Sequence, residues 1–145
     1  MVNELSILVY VSLIFIALAF GEGYSEGRYG WAARSYGWRF KVTGRTLTAY
    51  HFWIWLIMIP MFLMFPLFIY GFNLRLFGVL LSSYFLGAVI NDIAWYIVNP
   101  KVRLKDFNPR FAKWYNWWDI FGIKIPDFYI FYPIIFLIIW LLLVK

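Results

Sequence analysis

Asp92 lies in an apolar stretch, 76–98, that has the length and composition of a membrane-spanning helix. A carboxylate is costly in lipid, and such residues usually pair with another polar group or serve proton transfer or ion binding. His51, the only histidine, stands near the start of another apolar stretch, and Glu22 and Glu26 follow the first one. These four side chains are the residues of the sequence best suited to chemistry.

Three carboxylates and one imidazole are ligands that suit a divalent ion such as Mg, Mn, Fe or Zn. If the first helix continues past residue 20, Glu22 and Glu26 stand one turn apart and point the same way. We therefore predict Glu22, Glu26, His51 and Asp92 as catalytic residues and as metal ligands, with Asn91 beside them. No metal-binding motif of fixed spacing accompanies them.

A structural role for the same residues is the alternative. Glu22 and Glu26 would then pair with neighbouring arginines at the membrane interface, and Asp92 would be a hydrogen-bonded residue in helix packing. Buried charges often have such roles, so composition alone does not separate the two interpretations.

Four apolar stretches reach or approach the length of about 20 residues that spans a membrane. They are 5–20, 49–70, 76–98 and 128–144. Hydrophobic residues make up 64% of the chain and charged residues 14%. We therefore predict an all-α integral membrane bundle of four transmembrane helices that forms one domain over 1–145.

The basic residues indicate an orientation for this bundle. The two long loops, 21–48 and 99–127, hold eleven of the thirteen lysines and arginines. The positive-inside rule then places both loops in the cytoplasm and both termini outside the cell membrane. Because basic residues beside membrane spans serve this purpose, the net charge of +6 needs no nucleic acid as a partner.

Each long loop has a pattern of its own. In the first loop, Tyr29-Gly30-Trp31 recurs as Tyr36-Gly37-Trp38, a spacing of two helical turns that suggests a surface helix. The glycines of this segment oppose that helix. In the second loop, Asn108-Pro109 is a typical helix start, and aromatic residues follow at helical spacing up to Phe121. We predict an interfacial amphipathic helix between helices three and four.

The third stretch differs from the others because small and polar residues form a stripe along one face. They are Ser83, Gly87, Asn91 and Ala94. Such stripes let helices approach closely in lipid, which indicates that the third helix builds the interior. The fourth stretch has no polar group beyond Tyr129 and Tyr132, so we expect it to face lipid or another subunit.

Composition excludes several kinds of site. The chain has no cysteine, which excludes disulfides, zinc–thiolate centres and iron–sulfur clusters. With a single histidine, one subunit cannot supply both axial ligands of a bis-histidine haem.

The polar residues favour a metal-assisted enzyme that acts on a lipid or another amphiphile at the cytoplasmic leaflet. The metal would polarise a phosphoryl or carbonyl oxygen, and His51 or a carboxylate would move a proton. Arginine suits phosphate because its guanidinium binds two oxygens at once. The residues predicted to bind substrate are Arg28, Arg34, Arg39, Asn91 and Trp95.

Two other functions fit the same sequence. The chain would be a non-catalytic subunit of a membrane complex or a homo-oligomeric scaffold, with its aromatic residues, 25% of the chain, used for packing and anchoring. Alternatively, Asp92 would serve ion- or proton-coupled transport, although few other polar residues are available to line a path across the membrane.

Overall fold

The computed structural model of the chain describes residues 3–42 and 45–145. Its fold is mostly helical. Three helices, Glu4–Glu26, His51–Tyr70 and Leu74–Val98, are long and apolar enough to cross a membrane, and a shorter apolar helix covers Phe128–Val144. The expected all-α class needs a correction, because two small antiparallel hairpins connect the helices.

Helix α1 (Glu4–Glu26) is longer than the predicted stretch 5–20. The Asn3 side chain caps its first turn by accepting a hydrogen bond from the Ser6 N–H at 2.7 Å. The helix ends at Gly27, whose φ of 56° is open to glycine. Because the helix continues past Phe20, Glu22 and Glu26 lie on its last turns.

The second helix begins as a π-helical segment (His51–Met58), which we call the π segment, and continues as α2 (Ile59–Tyr70). Within it the Ile59 N–H bonds to the Ile54 carbonyl, so the Trp55 carbonyl would need the N–H of residue 60. Residue 60 is proline and has none. The Tyr84 hydroxyl donates to the Trp55 carbonyl instead, at 2.8 Å.

Helix α3 (Leu74–Val98) is central, and its stripe of small and polar residues is buried, as predicted. Helix α1 packs along it. At their closest point a Cβ on Gly87 would lie 2.2 Å from the ring of Phe15, so only glycine fits there. The third helix therefore builds the interior.

Helix α4 (Phe128–Ile139) ends in a second π-helical stretch (Trp140–Val144) and packs on α3. Whether the fourth helix faces lipid or another subunit stays a prediction, and its first turns also face α3. There the Tyr129 hydroxyl donates to Asp92 on α3 at 2.5 Å.

The first long loop forms a hairpin rather than a surface helix. Strand β1 (Arg39–Val42) pairs with β2 (Arg45–Thr48). The repeated Tyr-Gly-Trp pattern is not helical because Gly30 and Gly37 both have positive φ, which interrupts any right-handed helix.

The second long loop also lacks the predicted amphipathic helix. The Asn108 side chain does accept hydrogen bonds from the N–H groups of Arg110 and Phe111, but only one turn follows. Strands β3 (Trp117–Ile120) and β4 (Ile123–Pro126) come next. Phe121 and Gly122 link them with φ of 51° and 83°, the positive pair that two-residue hairpins require.

Candidate functional site

A cavity of about 280 Å³ lies against α3, at the end of the helices where the two hairpins are. Its walls include Trp55 and Leu56 of the π segment and Phe128 and Tyr132 of α4. Helix α4 packs on α3, and the π segment meets α3 through the hydrogen bond from the Tyr84 hydroxyl to the Trp55 carbonyl. Within 3–42 and 45–145 the π segment and α4 make no extended contact with each other. The cavity therefore occupies the space between them.

All four residues that the sequence singled out line this cavity. Glu22 and Glu26 come from the end of α1, His51 from the start of the π segment, and Asp92 from the last third of α3. They meet because consecutive helices reverse direction, which places the ends of α1 and α3 and the start of the π segment on the same side. The sequence thus indicated which side chains lie together, whereas the structure identifies their hydrogen-bond partners.

Glu22 is 7% exposed and is held by neutral donors. One carboxylate oxygen accepts from the Tyr50 hydroxyl at 2.8 Å and from the Trp55 indole N–H at 3.1 Å. The other oxygen accepts from the Asn91 amide at 3.0 Å. Two of the donors come from the start of the second helix and the third from α3, so this carboxylate ties both to α1.

Asp92 has a different pair of donors. The hydroxyls of Tyr115, in the second long loop, and Tyr129, on α4, each donate to one of its carboxylate oxygens. Burial raises the pKa of the Tyr115 phenol well above its ordinary value, and the nearby Asp92 charge acts in the same direction. Tyr115 is therefore a permanent proton donor to Asp92 at ordinary pH.

Glu26 accepts a hydrogen bond from the Ala32 N–H at 2.5 Å. This bond supports an unusual turn in which Gly30, Trp31 and Ala32 all have φ between 46° and 49°. For the two residues that are not glycine, such a conformation costs about 1–2 kcal/mol each. Strain of this kind persists where the surroundings fix it, and it often accompanies functional sites.

His51 is fixed on two sides. Its Nδ1 lies 2.8 Å from the Thr48 hydroxyl, and its ring lies against the indole of Trp31 with 4.3 Å between the ring centroids. The Trp31 indole N–H donates in turn to the Thr46 carbonyl at 2.7 Å. The strained turn thus sets the position of the histidine ring.

Arg45 lines the cavity too, and sequence reasoning did not single it out. It pairs with Asp127, which also caps the first turn of α4 by accepting from the Phe128 N–H at 2.7 Å. Its Nε is buried and has no hydrogen-bond partner among the described residues. Burial lowers the pKa of the Arg45 guanidinium. No sequence signal separates this arginine from the ten other basic residues of the loops.

Trp95 lines the cavity, as does Asn91. The Trp95 indole lies beside the Glu26 carboxylate, but its N–H makes no hydrogen bond of normal geometry within the described part of the chain. Trp95 and Arg45 are therefore two donors on the cavity wall, each with an N–H that no oxygen of residues 3–42 and 45–145 accepts at normal hydrogen-bond geometry.

The three arginines predicted to bind substrate lie outside the cavity. Arg28 and Arg34 line a separate groove beside the end of α1. The Arg39 guanidinium donates to the Ser35 carbonyl at 2.7 Å on the exposed hairpin. The five residues predicted to bind substrate are thus divided among three places: the cavity, the separate groove and the exposed hairpin.

The predicted metal ligands do not form a metal site in this arrangement. In the parts of the chain that the structure describes, no three His, Asp or Glu side chains are grouped to hold a metal ion. The physical reason is that the carboxylate oxygens of Glu22 and Asp92 already face N–H and O–H donors. A cation would have to displace those hydrogens.

Comparisons of the chain with models of protein families, with curated proteins and with solved structures found no match.

Proposed function

We propose that this protein is a four-span membrane enzyme that uses acid–base chemistry on the polar end of a lipid or another amphiphile. In this proposal Phe128–Val144 is the fourth span, both hairpins are cytoplasmic, and both termini are outside the cell membrane. Eleven of the thirteen basic residues lie in the segments that connect the helices at the hairpin end, which supports that orientation.

One observation carries the catalytic part of the proposal: a single cavity gathers three carboxylates, a histidine and an arginine. Titratable groups that converge in a pocket lined by aromatic side chains are typical of active sites. Asp92 is the proposed proton donor or acceptor, since two tyrosines hold its carboxylate in one orientation. His51 is the second proton-transfer group.

The free donors define what the substrate must offer. An N–H on Arg45 and one on Trp95 have no acceptor at normal geometry among the described residues, and both side chains line the cavity. An oxygen of the substrate, in a carbonyl, phosphoryl or hydroxyl group, would accept from them. These donors would then stabilise developing negative charge on that oxygen, the role that the sequence assigned to a metal.

The gap between the π segment and α4 supports access from the bilayer. Leu56 is 52% exposed and also lines the cavity, so the cavity wall continues into the apolar outer surface. An acyl or isoprenoid chain would remain in lipid while its polar end reaches Asp92. Such an arrangement suits an amphiphile better than a fully water-soluble substrate.

The test uses purified protein in lipid nanodiscs with a mixture of phospholipids, isoprenoid phosphates, fatty acids and acylglycerols. Mass spectrometry of the lipids follows which class is converted. We expect conversion by the wild type and by Glu4→Gln, a control at the opposite end of α1. Asp92→Asn should be slower by about a hundredfold or more, because general acid–base catalysis contributes that much.

A second variant tests the cavity itself. Ala88 lines it and is buried, so Ala88→Phe places a ring where the amphiphile would lie. This variant should lose both conversion and retention of a co-purified lipid. Absence of conversion by the wild type would refute the enzyme and favour the non-catalytic subunit or scaffold. Equal rates for the wild type and Asp92→Asn would refute Asp92 as the proton-transfer group.

A further inference from the structure

The groove beside the end of α1 has a basic character that the cavity lacks. Its volume is about 400 Å³, and it contains three cations, Arg28, Arg34 and Lys101. We call it the basic groove. Glu26 is its only carboxylate, and Glu26 also lines the cavity, so the two spaces share a wall.

The three cations have no carboxylate partner. The ion pairs of the described residues are Arg45 with Asp127 and Arg75 with Glu4, and neither involves the basic groove. Glu26 directs one oxygen to the Ala32 N–H. Three like charges in one concavity repel each other unless an anion joins them.

Aromatic rings position the two guanidinium groups. The Arg34 guanidinium carbon lies 3.4 Å from the centre of the Tyr29 ring, and that of Arg28 lies 5.5 Å from the centre of the Phe111 ring. Stacking uses the flat face of a guanidinium and leaves the N–H groups at its edge free. Those edges are what bind two oxygens of a phosphate.

A buried asparagine joins the walls of the basic groove. Asn99, 4% exposed, donates its amide to the Gly27 carbonyl at 2.7 Å, and its side-chain oxygen accepts from the Lys101 N–H at 2.8 Å. The end of α1 and the segment after α3 are thereby held together. These bonds fix the backbone of Lys101 relative to that of Gly27, next to Arg28, while the three cationic side chains are exposed.

The geometry points to a phosphate-binding site in the basic groove, formed by Arg28, Arg34 and Lys101, for the phosphate of an amphiphile whose remaining part occupies the cavity. This inference rests on the proposed function, because that proposal places the rest of the amphiphile in the cavity. Glu26 borders both spaces, so the two are adjacent. In this inference one molecule places its phosphate against the three cations and its adjacent atoms toward Asp92. Inorganic phosphate in solution would bind to the same three cations.

Binding of dioleoyl phosphatidic acid to the detergent-purified full chain tests the inference, with dioleoylglycerol as the same lipid without phosphate. The variant R28Q/R34Q/K101Q removes the three groove cations. K105Q/K113Q/K124Q is the matched control, because it removes three exposed charges of the second long loop outside the groove. Native mass spectrometry gives the dissociation constants.

We expect the groove variant to bind phosphatidic acid at least about tenfold more weakly than the wild type, and the control variant to change by less than about twofold. Binding of dioleoylglycerol should be the same in all three proteins, which also verifies that they are folded. Competition by inorganic phosphate would assign the site to free phosphate as well, whereas lack of competition would assign it to a lipid headgroup.

Equal weakening by both triple variants would overturn the inference, because it would indicate general surface attraction. An unchanged affinity of the groove variant would overturn it too. The cavity variant Ala88→Phe distinguishes failure of the phosphate site from failure of the proposed function. If Ala88→Phe loses both lipids while the groove variant loses neither, the amphiphile cavity is supported and the phosphate site is refuted. If only the groove variant loses phosphatidic acid, the phosphate site is supported and the cavity is refuted as its lipid site.

Discussion

The side-chain amide of Asn91 on α3 donates to the Glu22 carboxylate on α1 at 3.0 Å and to the Phe15 carbonyl at 3.2 Å. Asn91 therefore bridges a cavity residue and the backbone of the same neighbouring helix. The contact between α1 and α3 both packs the two helices together and positions cavity residues. A substitution that alters this packing should therefore also alter the cavity.

Glu22→Gln should destabilise the fold. The glutamine amide replaces one acceptor oxygen with a donor, while Tyr50, Trp55 and Asn91 all direct donors at this group. One hydrogen bond is then lost and two donors face each other, at a cost of about 1–3 kcal/mol. Reversible unfolding in detergent measures the free energy. Glu4→Gln, which affects an exposed ion pair on the same helix, should cost less than about 1 kcal/mol, and an equal cost would contradict the prediction.

Tyr84→Phe should destabilise the π segment by about 1 kcal/mol or more, because it leaves the Trp55 carbonyl without a donor. Pro60→Ala restores an N–H at the position where that carbonyl would find its backbone partner. In the Pro60→Ala background, Tyr84→Phe should therefore cost less by at least about 0.5 kcal/mol. A double-mutant cycle on unfolding free energies tests this dependence, and identical costs in both backgrounds would argue against it.

Gly87→Ala should reduce stability, since its methyl group would lie 2.2 Å from the Phe15 ring and force α1 away from α3. Overpacking of this kind costs about 1–3 kcal/mol. Gly21→Ala is the control: it lies on α1 with open space around it, and alanine is the better helix former. Thermal unfolding midpoints should fall for the first variant and stay or rise for the second. A neutral Gly87→Ala would mean that the two helices are not closely packed there.

Stability should fall at alkaline pH in a way that depends on Tyr115. Burial raises the pKa of this phenol, so the folded chain keeps a proton that the unfolded chain releases above about pH 10. The contribution of the Tyr115 proton to the free energy of unfolding is therefore complete below that pH. It is lost as the pH rises through the pKa of Tyr115 in the folded chain. The slope of unfolding free energy against pH above 10 should be smaller for Tyr115→Phe. Tyr70→Phe, an exposed tyrosine, should keep the wild-type slope.

The apolar helices and the place of the polar residues were predictable from the sequence for separate reasons. Lipid requires long apolar stretches, so composition reveals the helices directly. Alternating helix direction then brings Glu22, His51 and Asp92 to one end without any knowledge of packing. All three line one cavity.

The partners of those residues were not predictable. Tyr115 and Tyr129 look like two more interfacial aromatics in a chain with eleven tyrosines, and only tertiary packing directs their hydroxyls at Asp92. The second hairpin was missed because aromatic residues at 111–121 satisfy a helical spacing and favour strands as well. Phe121-Gly122, the turn that decides between them, is not a typical hairpin pair, since phenylalanine rarely adopts positive φ.

Both donors to Asp92 follow it in the chain. In the proposed four-span arrangement, a ribosome therefore delivers α3 to the membrane before the residues that pair with its carboxylate have been made. Until Tyr115 and Tyr129 arrive, the third helix carries a polar group that lipid disfavours. In that arrangement, completion of the last helix supplies the hydrogen bonds that the carboxylate of α3 needs, so a chain interrupted before residue 115 would leave this carboxylate without either tyrosine in lipid.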